Sequence, residues 1–177
     1  MLGHIVLLAS YNEWMNAKLY EAAAKLPAQE LAADRGAFFR SIIGTLNHIV
    51  VADTLWLQRF ATHPSGFAVL DPVRGQPVPS ALDQVLFGDI SELAGHRKML
   101  DGVITQWAAQ LKEEDLRHVL RYTNTRGIAG ARRFSSLVMH FFNHQTHHRG
   151  QATTLLSQAG MDVGVTDLLA LIPNEGN

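Results

Sequence analysis

The run NHQTHHRGQ, from Asn143 to Gln151, holds His144, His147 and His148, and His140 lies one helical turn upstream. Near neutral pH an imidazole serves either as a proton carrier or as a neutral nitrogen ligand for a metal. Spacing decides which is open. At about 100° per residue, His144 and His148 fall in the same helical sector as Leu137, Phe141, Leu155 and Ala159. His140 and His147 lie roughly 80–100° away, on a polar flank with Asn143, Gln151 and Thr154. Two imidazoles at i and i+4 can converge on one cation, the device used by H-E-x-x-H helices. Burying such a pair between Phe141 and Leu155 with no shared partner would desolvate polar groups for little return. The alternative is a pair hydrogen-bonded to a buried Asn, Tyr or Asp.

Catalytic metal sites usually have three protein ligands and one position left for water or substrate, so a third ligand must come from another helix. His48, Asp53 and His4 are the inward-facing choices. Asp53 sits in the strongest apolar arc of its segment, whereas His48 lies opposite, beside Ser41, Ala52 and Leu55. Periodicity slightly favours Asp53. The segment is apolar over most of its circumference, however, so the His48 face can also be buried, and the choice stays open on geometry alone.

Composition narrows the chemistry. The 177 residues contain no cysteine, which excludes disulfides, thiolate nucleophiles and sulfur-ligated zinc and leaves nitrogen and oxygen as metal ligands. A formal charge of −1 provides no broad basic field for phosphate backbones, so no nucleic-acid partner is expected. With 47% hydrophobic and 18% charged residues, the chain reads as one globular domain over residues 1–177. The start, MLGHIVLLASYNEW, lacks a signal peptide's basic region and cleavage site, and its apolar run is too short to cross a bilayer. A cytoplasmic protein with no membrane partner is expected.

Four helices must position these residues. Leu8, Tyr11, Met15, Leu19, Ala22 and Leu26 make one face of helix 1, over about 4–26, which Pro27 ends. Ile42, Leu46, Ile49, Trp56 and Phe60 mark helix 2, over about 37–62. The segment His63–Pro79 carries four of the six prolines and reads as a long loop. Helix 3 begins near Asp89, an N-cap with Glu92 at the box position, and runs along Leu93, Arg97, Leu100, Ile104, Trp107 and Leu111. Residues 117–133 suggest a short irregular hairpin turning at Asn124–Gly127. Helix 4 covers about 135–159, with Gly160 as a left-handed cap, and the tail TDLLALI adds a turn or two. The expected class is an all-α four-helix bundle, in which the long loop after helix 2 permits a crossover.

Several of these stretches resemble the DinB-like family of small bacterial proteins, the DinB/YfiT candidate metalloenzymes; the similarly named DNA polymerase is unrelated. The residues that carry the resemblance are TLNHIVVADTLWLQRF, YTNTRG and HFFNHQTHHRGQATTLLSQAG, with YNEWMNAKLYEAAAKL matching the opening helix. The resemblance implies an up-down-down-up bundle and a metal held by one histidine of helix 2 and two of helix 4, which here are His48, His144 and His148. It overrules the mild preference for Asp53, which becomes a partner for Arg97 or Arg149, since a buried carboxylate needs a cation or several donors. His147 occupies the variable position before the second helix-4 ligand.

The function implied is that of a divalent-metal-dependent enzyme, with zinc or nickel the leading ions. Such a site either activates a water or activates a thiolate from a low-molecular-weight thiol. Thiol-dependent S-transfer in stress or detoxification leads, on a small-molecule substrate and in a homodimer of the kind relatives form. The rivals are a non-catalytic metal-binding stress protein and a metal-dependent hydrolase using His147, Glu13 or Asp53 as base. Tyr11, Asn12 and Trp56 are read as core, Arg149 as an anchor, and Arg126, Arg132 and Arg133 as solvated surface. His4, His63, His96 and His118 are read as isolated surface or boundary residues, and broadly apolar helices 1 and 2 as the place for a dimer face.

Overall fold

The computed structural model describes residues 1–176. Its elements follow the order α1 (Leu2–Ala23), α2 (Ala28–Ala32), α3 (Ile42–Phe60), α4 (Asp71–Arg74), α5 (Ile90–Gln110), α6 (Glu113–Leu116), β1 (Val119–Thr123), β2 (Ala129–Arg133) and α7 (Phe134–Gln158). The protein is therefore predominantly helical, with one small antiparallel sheet. Among the described residues no helix is long and apolar enough to cross a membrane.

The long helices α1, α3, α5 and α7 share a core: α1 packs along α5 and α7, and α3 along α7 and α5. Residues pair along α3 and α7 in opposite senses. Phe60 at the end of α3 meets Phe134 and Phe141 near the start of α7, while His48 meets His144 and His148 further on, so the two helices run antiparallel. Trp107 of α5 stacks on Phe60 with ring centroids 5.2 Å apart. This aromatic knot fixes one end of the helix packing by burying large rings in offset and edge-on contact, and the histidines lie toward the other end.

α3 starts later than its apolar pattern predicts. Gly36 and Arg40 both take left-handed backbone angles, at φ 68° and 65°, and Ser41 then caps the helix by accepting from the Gly44 amide at 3.1 Å. Residues 37–41 thus form a tight turn rather than a first helical turn. Arg40 is a non-glycine residue in a region that costs on the order of 1–2 kcal/mol. No residue of α3 is exposed, which accounts for the nearly continuous apolar pattern.

The other boundaries follow their local chemistry. Asp89 caps α5 by accepting from Ser91 and Glu92 amides. Gly160, at φ 78°, ends α7, and the Met161 amide returns to the Leu156 carbonyl. The expected irregular hairpin is regular: five residue pairs run from Val119 opposite Arg133 to Thr123 opposite Ala129. Asn124 shapes its turn by accepting from the Arg126 and Ile128 amides, and Gly127 supplies the positive φ of 75°.

The segment from His63 to Asp89 crosses from α3 to α5 over the outside of α3. Buried Asn47 tethers it there, with its Oδ1 accepting from the Leu86 and Phe87 amides and its Nδ2 donating to the Ile43 and Phe87 carbonyls. Replacing Asn47 by alanine leaves the part-buried Leu86 and Phe87 amides and the Phe87 carbonyl without their side-chain partner, at about 1–3 kcal/mol. The expected outcome is faster amide exchange over residues 80–87 with the α5 amides unchanged. Equal exchange in both proteins would show that the tether is unimportant.

Candidate metal centre

The fold brings together the three histidines the resemblance implies. His48 reaches across from α3, and its Nε2 lies 3.3 Å from His144 Nε2 and 3.2 Å from His148 Nε2. One nitrogen from each ring fits within 4.8 Å of the others, and no fourth His, Cys, Asp or Glu joins the group among the described residues. Three nitrogens bound at ~2.0–2.1 Å around a tetrahedral zinc stand about 3.3–3.4 Å apart. The spacing suits such a cation.

Hydrogen bonds on the far side of each ring set which nitrogen carries the proton. His48 Nδ1 donates to the Leu82 carbonyl at 2.7 Å, and His148 Nδ1 donates to Gln151 Oε1 at 2.8 Å. Both rings are thereby left with lone pairs on Nε2, aimed at each other. Two acceptors facing each other at 3.2 Å need a proton or a cation between them. Ligating histidines are oriented by such outer bonds to carbonyls and amides.

Burial keeps the three rings neutral. Desolvation pushes His48 down to about 4 and His144 down to about 3, with the neighbouring histidines adding to the latter shift. Desolvation also lowers His148, against the opposing effect of its bond to Gln151. Neutral imidazole is the form that binds a metal.

Phe39 completes the wall. Its ring stacks on His48 at 3.8 Å and meets His148 edge-on at 5.6 Å. Its carbonyl passes so close to Gly44 that an added Cβ would stand 2.3 Å from the oxygen. Gly44→Ala must displace the turn that presents Phe39, with an expected loss of about 1–3 kcal/mol and weaker metal binding. Melting and metal titration of this variant check it, and a wild-type melting curve would contradict the contact.

The remaining histidines separate as their angles suggest, with one exception. His140 and His147 are exposed; His147 Nε2 accepts from Gln151, and the His140 ring lies 5.9 Å from His144. His4 is exposed, and His96 and His118 are half-buried. His63 is instead buried, with its Nε2 against the Asp115 carbonyl at 3.3 Å.

His144 and His148 are half-buried at the edge that faces α3, and the centre of the α7 core face belongs to Gln145 and Arg149. Of the expected stripe, Leu137, Phe141 and Leu155 are buried, while Ala159 and the two histidines are only half-buried. Polar residues from all four long helices meet around Gln145 and Arg149. Arg97 donates to Asp53 Oδ2 at 2.5 Å and lies 3.0 Å from Asp101 Oδ1, Gln145 donates to the same Asp53 oxygen at 2.9 Å, and Asn12 and Asn16 each donate to Asp101 at 2.8 Å. Arg149 donates to Asn12 and lies over the Tyr11 ring. Asp53 is thus the partner of Arg97 and is turned away from the histidines. Glu13 accepts weakly from Thr105 on α5, also away from them.

Tyr11 bonds the Thr166 carbonyl at 2.6 Å, and Trp56 packs between Tyr122 and His140 rather than on the three-histidine group. Arg126, Arg132 and Arg133 are exposed, as their surroundings in the sequence suggest. Phe39, Asn47 and the Leu82 carbonyl were not foreseen. A backbone carbonyl leaves no mark in a sequence, but Asn47, one residue before His48 in an apolar run, is a visible signal.

Comparison with known proteins follows the same lines. The protein named Protein DinB of Bacillus subtilis (strain 168) is 28% identical over 164 residues, which cover 90% of this chain and 88% of that protein. No solved structure matches the chain. The sequence model of the DinB family matches residues 1–175, and the chain belongs to that family.

Proposed function

We propose that this protein is a metal-dependent enzyme in which His48, His144 and His148 hold a divalent cation, zinc or nickel, and that its reaction is thiol-dependent S-transfer in stress or detoxification. The observation that carries the metal reading is the meeting of neutral Nε2 atoms 3.2–3.3 Å apart, each of two rings fixed from behind by Leu82 or Gln151. Three protein ligands without a fourth favour a position for an exchangeable ligand over a closed structural site. The cation would supply Lewis acidity, which lowers the pKa of a thiol or water. The chain's own residues orient the ligands, cover one side with Phe39, and keep the rings unprotonated.

The same reading takes α1, α3, α5 and α7 as the family's up-down-down-up bundle, which their packing order supports. It also takes the protein as a homodimer. α3 has no free face for a second copy, whereas Phe38, Leu82 and Val85 are exposed near the histidines.

Metal content of untagged protein and conjugation of a thiol to an aryl chloride, with and without chelator, test the proposal. In that reaction the thiol proton is lost, a sulfur–carbon bond forms and chloride leaves. Near-stoichiometric metal and chelator-sensitive conjugation are expected. Chelator-sensitive ester hydrolysis without conjugation would assign a hydrolase instead, and bound metal without either turnover would leave the ion a structural role.

A further inference from the structure

A groove of about 410 Å³ runs between the C-terminal half of α3 and the free edge of β1. Two arginines, Arg59 and Arg121, line it together with the hydroxyl-bearing residues Thr62, Ser80 and Thr123, and no aspartate or glutamate does. Among the described residues neither arginine has a carboxylate partner within 4.0 Å, whereas half-buried Arg35 and buried Arg97 do. Arg59 is instead laid over the rings of Trp56, at 4.7 Å, and Tyr122, at 5.4 Å. Stacking fixes the plane of the guanidinium while leaving its N–H groups free, the arrangement suited to bidentate recognition of a carboxylate or phosphate.

The groove is aligned with the three-histidine group. Leu55 and Arg59 each lie within about 20° of His48 around α3, on either side of it, and stand about 10 and 16 Å further along its axis. A line of rings bridges the interval: His144 to His140 at 5.9 Å, His140 to Trp56 at 5.1 Å, and Trp56 to Tyr122 at 5.4 Å. These four rings are all exposed or half-buried, so the track is open along its length.

We propose that this groove is an anion-recognition subsite, where Arg59 and Arg121 hold the carboxylate or phosphate of an extended small molecule whose reacting end lies at the three-histidine group. The placement of the reacting end rests on the metal reading above; the anion site does not. An apolar middle of about 10 Å, or several bonds, matches the Trp56 and Tyr122 surface between the two ends.

Titration of isotope-labelled protein with inorganic phosphate and, separately, succinate at constant ionic strength tests the site. Saturable shifts of the Arg59 side-chain N–H and the Tyr122 amide are expected, and the tighter of the two anions identifies the terminal group. Arg121→Gln, at an exposed position, and Arg59→Gln should each weaken binding at least tenfold while leaving bound metal unchanged. No saturable shift, or equal binding by both variants, would overturn the anion site. With cobalt(II) loaded, bound succinate should show pseudocontact shifts. Failure to take up cobalt would sink the metal reading and leave the anion titration standing, whereas cobalt uptake with bound but unshifted succinate would break the link between groove and histidines.

Discussion

Asp53→Ala is expected to destabilise the protein by about 3–5 kcal/mol, because it strips one of two carboxylates from a buried guanidinium and leaves the network with a net positive charge. Asp53 is 1% exposed and Arg97 2%, so water cannot replace the lost carboxylate. Asp53, Asp101, Arg97 and Arg149 sum to zero charge; the substitution leaves one uncompensated cation and frees the Gln145 amide as well. At a few degrees per kcal/mol for a chain of this size, the melting temperature should fall by roughly 6–20 °C. A loss below about 0.5 kcal/mol, the range of an ordinary surface substitution, would contradict the network.

The pair's own contribution is smaller than that loss. Two charges taken from water are costly, and a well-packed apolar pair often does as well. Asp53→Leu combined with Arg97→Met should therefore recover much of what Asp53→Ala loses. Desolvation already raises Asp101 to about 6 against the pull of Arg97, so without Arg97 it would protonate and remain tolerable between Asn12 and Asn16. A raised carboxylate pKa contributes stability below pH 3.8 that is lost as pH rises through about 6, so this network is no source of acid lability.

How far the sequence leads depends on what each position faces. The i, i+4 pair of His144 and His148 was legible, because both rings must leave α7 on one side. His48 and Asp53 were not separable by periodicity, since α3 is enclosed all round: Asp53 faces α5 and Arg97, and His48 faces α7 and the crossing segment. Only the resemblance distinguished them. The α7 stripe of Leu137, Phe141 and Leu155 was legible, whereas the polar Gln145 and Arg149 on the same buried side of the helix were not, because an apolar pattern does not mark them. The turn carrying Phe39 was read as helix because an apolar pattern says nothing of a left-handed Arg40. The hairpin was visible in Asn124 and Gly127, but its regular pairing was not.

His48→Ala is expected to lower metal affinity by more than about 100-fold, beyond the 10–100-fold typical of losing an outer-shell partner. It removes the one proposed ligand on α3, and the His144 and His148 pair on one helix cannot enclose a cation. The fold should survive, because His48 lies outside the Asp53–Arg97 network. Acid provides an independent measure. A histidine lowered from 6.5 to about 4 or 3 stays neutral in the folded chain while its unfolded counterpart takes up a proton. The unfolded state then binds more protons, so stability present above pH 6.5 is lost as pH falls toward 4. Protons thus compete poorly with the metal inside the folded protein and act through unfolding. Metal release followed by a chelating dye should coincide with loss of helical circular dichroism, below about pH 5. Release near pH 6.5 from a chain that keeps its helices would show ordinary, solvated imidazoles and remove the electrostatic basis of the site.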